Sequence, residues 1–116
     1  MVDFPTDDKL TIRDLQAFHR ELDEAKGFDR DLFRNLTYLM AELGEAVRAA
    51  RRLERARGQP GGDEAREHLG EELADCLAYV LKLANYAGLD LQSCYAKKMK
   101  QNLERTWPKK RRSTYR

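Results

Sequence analysis

"AELGEAVRAARRLERARGQPGGDEAREHLGEELAD", residues 41–75, decides the fold. At its centre "RGQPGG" (57–62) places three glycines and a proline between two segments of helical apolar spacing, which predicts a hairpin between two long helices. Upstream, Leu32, Phe33, Leu36, Leu39, Met40, Leu43, Val47 and Ala50 keep the helical period, so a helix is predicted from about Asp31 to Arg57. Downstream, Leu69, Leu73, Cys76, Leu77, Val80, Leu81 and Ala84 share one face of a helix that starts near Asp63. Its first turn is acidic, as the helix dipole prefers, and Gly88 is its expected C′ residue. A short hairpin between helices of this length sets them antiparallel.

The flanks add two more helices. Leu10/Ile12, Leu15, Phe18 and Leu22 predict a first helix, with Thr11 as N-cap, Asp14 three residues on, and Gly27 as its end. Asp90 is expected to cap a fourth helix through Leu91, Cys94, Tyr95 and Met99 to about Thr106, where "WP" stops it. No alternating strand pattern is present. The expectation is therefore an all-α, four-helix bundle with antiparallel central helices, residues 1–108 forming one domain and "KKRRSTYR" (109–116) a basic tail.

Of the 116 residues, 36% are charged and 41% apolar, a balance that fits a globular helical domain and excludes a disordered or fibrous class. Nine basic residues and one acid lie between Lys97 and Arg116, so the net charge of +2 conceals an acidic body and a basic end. "MVDFPTDDKL" has acids where a leader would be apolar, and no run approaches the ~20 apolar residues of a membrane span. A cytoplasmic protein with no membrane partner is expected. Cys76 and Cys94 lack metal-ligand spacing and read as packing residues.

Glu42 and Glu45 stand three apart in "ELGE", which on a helix puts their Cβ atoms about 5–6 Å from one another, a repulsive arrangement. "EELAD" repeats it with Glu72 and Asp75. By helical angle Glu72 falls among Cys76, Tyr79 and Leu83, so it should be partly buried, and Asp75 lies at the margin of that face. Glu45 and Asp75 are about equally far from the hairpin centre, so the two pairs can face each other. Carboxylates drawn out of water must be paired, protonated or metal-bound, and four together suit a hard divalent cation that retains waters for phosphate to replace. Ordinary ion pairing by Arg48, Arg51 or Lys82 is the alternative.

In "YAKKMKQNLER", Lys98, Asn102 and Arg105 project from the side of Leu91, Cys94 and Tyr95, so a lysine, an amide and a guanidinium line up as phosphate oxygens require. Lys97 and Lys100 read as solvated surface. Small or apolar residues around much of the second helix, including the Ala41, Glu45 and Ala49 stripe, suggest that it packs on two sides, one of them against a second subunit.

The order "ELGE", "EELAD", "KKMKQNLERTWP" resembles the MazG-like all-α nucleoside triphosphate pyrophosphohydrolases over approximately Ile12 to Pro108, most closely the compact dCTP pyrophosphatase branch. The resemblance implies Glu42, Glu45, Glu72 and Asp75 as Mg²⁺ ligands, with Mn²⁺ as a substitute, and Lys98, Asn102 and Arg105 as triphosphate contacts. It implies cleavage between the α and β phosphates of a nucleoside triphosphate, for nucleotide-pool house-cleaning or dCTP-like pyrimidine control, and assembly as a homodimer or a dimer-of-dimers tetramer. Glu45, on the more polar side of its helix, is the expected general base. Phe18, His19, Phe28, Asn35 and Tyr38 fall where the family places its base pocket, while Trp107 would pack the end of the fourth helix or stack on a neighbour's substrate. Ala41 stands where many members carry an acid, and Arg105 lies one residue further from "WP" than the family pattern. A small helical nucleic-acid-binding or regulatory protein without catalysis would explain the tail but give the four acids no purpose.

Overall fold

The computed structural model describes residues 1–106 and Pro108; Trp107 and the expected tail, 109–116, lie outside the described residues. Thr11 opens α1 (Ile12–Lys26): its Oγ1 accepts the Asp14 N–H at 3.1 Å. Gly27, at φ +66°, closes the helix in the left-handed region that strains residues with a side chain. Asp31 opens α2 (Leu32–Ala56) by accepting the Arg34 N–H at 2.8 Å. A five-residue turn leads to α3 (Gly62–Tyr86), and α4 (Leu91–Glu104) follows. At Gly62 a Cβ would stand 2.9 Å from the Ala56 carbonyl oxygen, so the return of the chain past the end of α2 requires glycine. The described residues are all-helical apart from turns, with a short 3-10 helix at Asp7–Lys9 that the sequence pattern did not predict.

α2 and α3 form the largest helix–helix interface. Its buried residues are mostly small: Ala46 and Ala49 on α2, with Ala65 and Cys76 on α3, let the two backbones come close. Tyr38 lies near Tyr79, Glu42 near Asp75, and Ala56 near Gly62, so early positions of α2 meet late positions of α3. α1 packs on α3 through Gln16, which is buried and fully satisfied. Its Nε2 donates to Asn85 Oδ1 and Leu89 O, both at 2.9 Å, and its Oε1 accepts the Leu91 N–H at 2.9 Å. One side chain thereby ties α1 to the α3–α4 corner, and leaving its partners unpaired would cost about 1–3 kcal/mol per group.

α4 departs from expectation. It packs chiefly on α1, stops at Glu104 rather than Thr106, and exposes Cys94, which is therefore no packing residue, together with Tyr95 and Leu103. Asp90 does precede the helix, but its carboxylate makes no capping bond. It takes Arg13 Nε at 3.0 Å and Nη2 at 2.9 Å, and the Ser93 hydroxyl at 2.8 Å. A guanidinium fork outcompetes a neutral cap N–H for a carboxylate. The Arg13 bond first, then the Ser93 bond, hold the Asp90 carboxyl down at about 2. A depressed folded pKa contributes stability above the unfolded value near 4, which is lost as pH falls through about 2. Thermal melts from about pH 5 to 2 should therefore fall more steeply for the wild type than for D90N; parallel curves would show that this pair adds nothing.

Candidate metal and nucleotide site

The middle of α2 and of α3 carries three carboxylates in one place. One oxygen from each of Glu42, Glu72 and Asp75 lies within 4.8 Å of the others. Glu42 and Glu72 are half-buried, as the helical angle predicts for Glu72, and Asp75 is exposed at the margin. Burial first, then the charges of Asp75 and Glu72, push the Glu42 carboxyl above its ordinary range. Glu45, one turn from Glu42, adds to that repulsion, but its own carboxylate is ion-paired with Arg48. Glu45 thus stands beside the cluster, half-exposed, and outside the group of three. His68, which the sequence reading missed, places Nε2 3.7 Å from Glu72 Oε1 across one helical turn. Its four-residue offset from Glu72 was the available signal.

The donor set fits a hard divalent cation. All three groups offer carboxylate oxygen, and ligand distances of about 2.1–2.4 Å allow opposed oxygens on one ion to be roughly 4–5 Å apart. The raised Glu42 pKa records a charge deficit that such an ion would relieve.

Next along the same two helices is a cavity of about 280 Å³ lined by Phe28, Asp29, Asn35, Tyr38, Tyr79 and Lys82. The sequence reading placed Phe28, Asn35 and Tyr38 together here but missed Tyr79, Lys82 and Asp29, two of which come from α3. Tyr38 and Tyr79 have ring centroids 6.2 Å apart, tilted by 59°. Buried Asn35 donates both amide hydrogens to backbone, to Asp29 O at 3.0 Å and Asp31 O at 2.7 Å, so its Oδ1 is the atom it can offer a ligand. Phe18 and His19 are not lining residues: Phe18 packs edge-on against Phe4 and His19, both at 5.1 Å. Burial lowers the His19 pKa, and its Nδ1 is buried without a hydrogen bond.

Lys98 and Arg105 are exposed and Asn102 half-buried, its Nδ2 3.9 Å from Met99 Sδ. The three share α4 and its C-cap as predicted, but α4 packs chiefly on α1, whereas the acids belong to α2 and α3.

The family model for the MazG nucleotide pyrophosphohydrolase domain matches residues 31–107, which include α2, α3, α4 and both acid pairs. No curated protein and no solved structure matches the chain. An all-helical fold, acids gathered from two adjoining helices, and a match over more than half of its length place the chain in the MazG nucleotide pyrophosphohydrolase family.

Proposed function

We propose that this chain hydrolyses (deoxy)nucleoside triphosphates between the α and β phosphates, releasing the monophosphate and pyrophosphate. The observation that carries this reading is the cluster of half-buried Glu42 and Glu72 with Asp75 at its exposed margin, within the matched region, next to an aromatic cavity of nucleobase scale. The three carboxylates, with Glu45 on the adjoining turn, would hold Mg²⁺, or Mn²⁺ in its place. When bound, the metal supplies the positive charge that neutralises the phosphates and lets a water be positioned against them. Glu45, kept out of the group of three by Arg48, accepts that water's proton. Phe28, Tyr38 and Tyr79 hold the base, and Lys98, Asn102 and Arg105 hold phosphate. The dCTP-like pyrimidine preference, a house-cleaning role and a cytoplasmic setting belong to this proposal; among the described residues no helix is long and apolar enough to cross a membrane. The catalytic domain is 1–108, with 109–116 a basic tail beyond it.

A second copy of the chain completes the fold, as a homodimer or dimer of dimers in which α2 and α3 of each copy run antiparallel. Phe33, Leu36, Met40, Leu43 and Val47 recur at helical spacing along α2 yet are exposed, Phe33 by 79% and Met40 by 71%. Leu73, Leu77 and Val80 repeat this on α3. The radius of gyration, 17.4 Å, exceeds the ~13 Å of a compact chain of about 100 residues, as expected of a subunit lacking its partner. A solution mass of one chain by light scattering would remove the assembly from the proposal.

A panel of standard and modified nucleoside triphosphates with Mg²⁺, read out as pyrophosphate and monophosphate, tests the activity. Mg²⁺-independent or absent release from every substrate would overturn it. Within the panel, K98A and N102A should each lower kcat/KM for every nucleotide alike, by ~1.5–3 kcal/mol for a charged contact such as that of Lys98. Phosphates carry no base identity, so a base-dependent loss would assign α4 to the base instead. Truncation after Pro108 should be milder, because it removes neither an acid of the cluster nor Lys98, Asn102 or Arg105.

A further inference from the structure

Lys82 is the cation that the acid cluster does not explain. It sits one turn past Tyr79 on α3 with its side chain only 13% exposed, and it lines the aromatic cavity. Its Nζ lies 4.6 Å from the Phe28 ring centroid and 5.2 Å from that of Tyr79, so the ammonium is enclosed between two cavity walls. Behind it is Asp23 of α1, 2% exposed, whose Oδ2 accepts the Tyr86 hydroxyl. Asp23 Oδ1 is 3.5 Å from Nζ and, although buried, receives no hydrogen bond. The carboxylate therefore compensates the lysine's charge without consuming its N–H groups, and those donors remain for a ligand.

We infer that Lys82, held by Asp23, is the residue that reads the nucleobase in this cavity, donating to a keto oxygen and so favouring oxo-bearing bases over adenine. The inference rests on the nucleotide reading above and names its substrate class. Three rings, from Phe28, Tyr38 and Tyr79, suit a flat heterocycle. The cavity's polar equipment includes an ammonium that can only donate and an amide, Asn35, whose free atom can only accept. Cytosine, uracil and guanine each combine a carbonyl oxygen with an N–H donor. Adenine presents an exocyclic amine and no carbonyl, so at the lysine it offers only a ring nitrogen.

The test separates this inference from the hydrolytic one by measuring binding without metal or phosphate. Deoxycytidine, deoxyuridine, deoxyguanosine and deoxyadenosine are titrated into the full chain by ligand-observed NMR. The three oxo-bearing nucleosides should bind about tenfold more tightly than deoxyadenosine, the discrimination of one charged hydrogen bond. K82M alone would strand the Asp23 charge, so D23N/K82M is the variant compared, its folding checked by circular dichroism. It should lose that tenfold advantage while deoxyadenosine binding stays within about twofold. Equal binding of deoxyadenosine by the wild type, an unchanged ranking in the variant, or no nucleoside binding would each overturn the inference. Lys82-dependent discrimination without pyrophosphate release from any triphosphate would overturn the hydrolase reading and leave this one standing. Rapid release with dATP and dCTP equal, in wild type and variant alike, would do the reverse.

Discussion

Replacing Glu72 by glutamine should reduce Mg²⁺-dependent pyrophosphate release by about 10²–10³-fold, the range for removing one group that stabilises reaction charge, and leave the metal-free protein at least as stable. Both halves follow from one geometry. Glu72 shares a site with Glu42 and Asp75, their oxygens within 4.8 Å, and its charge helps to push the Glu42 carboxyl up. A carboxyl whose folded pKa is raised binds protons more tightly in the folded state. Metal-free protein therefore gains stability as pH falls through the raised Glu42 value and loses it as pH rises. E72Q removes one source of that shift, so its melting temperature in chelator should depend less on pH above the ordinary carboxyl range. Added Mg²⁺ should raise the wild-type melting temperature at neutral pH, because a ligand of the native state alone adds RT ln(1 + [L]/Kd), and should raise that of E72Q less. If E72Q melts well below the wild type in chelator, Glu72 is a structural partner of His68, 3.7 Å away, and not a metal ligand.

The second large effect is expected far from the acids. D23A should cost roughly 3–5 kcal/mol, because it leaves Lys82 as an uncompensated charge that is nearly buried. It also strips the Tyr86 hydroxyl of its acceptor, a contact that, with burial as the larger cause, drives the Tyr86 pKa upward. For a domain of this size about 4–8 °C is lost per kcal/mol, so the melting temperature should fall by roughly 15 °C or more. D23N keeps an acceptor for Tyr86 and should be milder. D23N/K82M, with neither charge, should recover most of the loss, since removing both members of a buried pair is often close to neutral. A D23A protein that melts within about 1 kcal/mol of the wild type would show that Lys82 finds compensation elsewhere.

The helices themselves were legible in the sequence because their signals are local. Thr11 and Asp31 act as N-caps and Gly27 as a left-handed stop, since each needs only its own neighbours along the chain. The hairpin was legible for the same reason: Gly62 answers to Ala56, six residues away. Spacing also placed Glu42, Glu72 and Asp75 in common reach, because the distance of each from one hairpin sets its level on a pair of straight helices. Asp90 marks where this logic ends. Locally it is an N-cap, but tertiary packing brings a guanidinium to it from seventy-seven residues away, and the charged partner prevails. Likewise periodicity gave α4 an inner stripe without saying against what it packs, and α1 rather than the α2–α3 pair is the answer. Along the chain, Lys82 offers itself only as an ion-pair partner for the acid cluster, and Asp23 carries no signal of a role. Only the packing of α1 on α3 makes them a pair, since burial and partnership are properties of what surrounds a side chain, and no spacing along one helix encodes that.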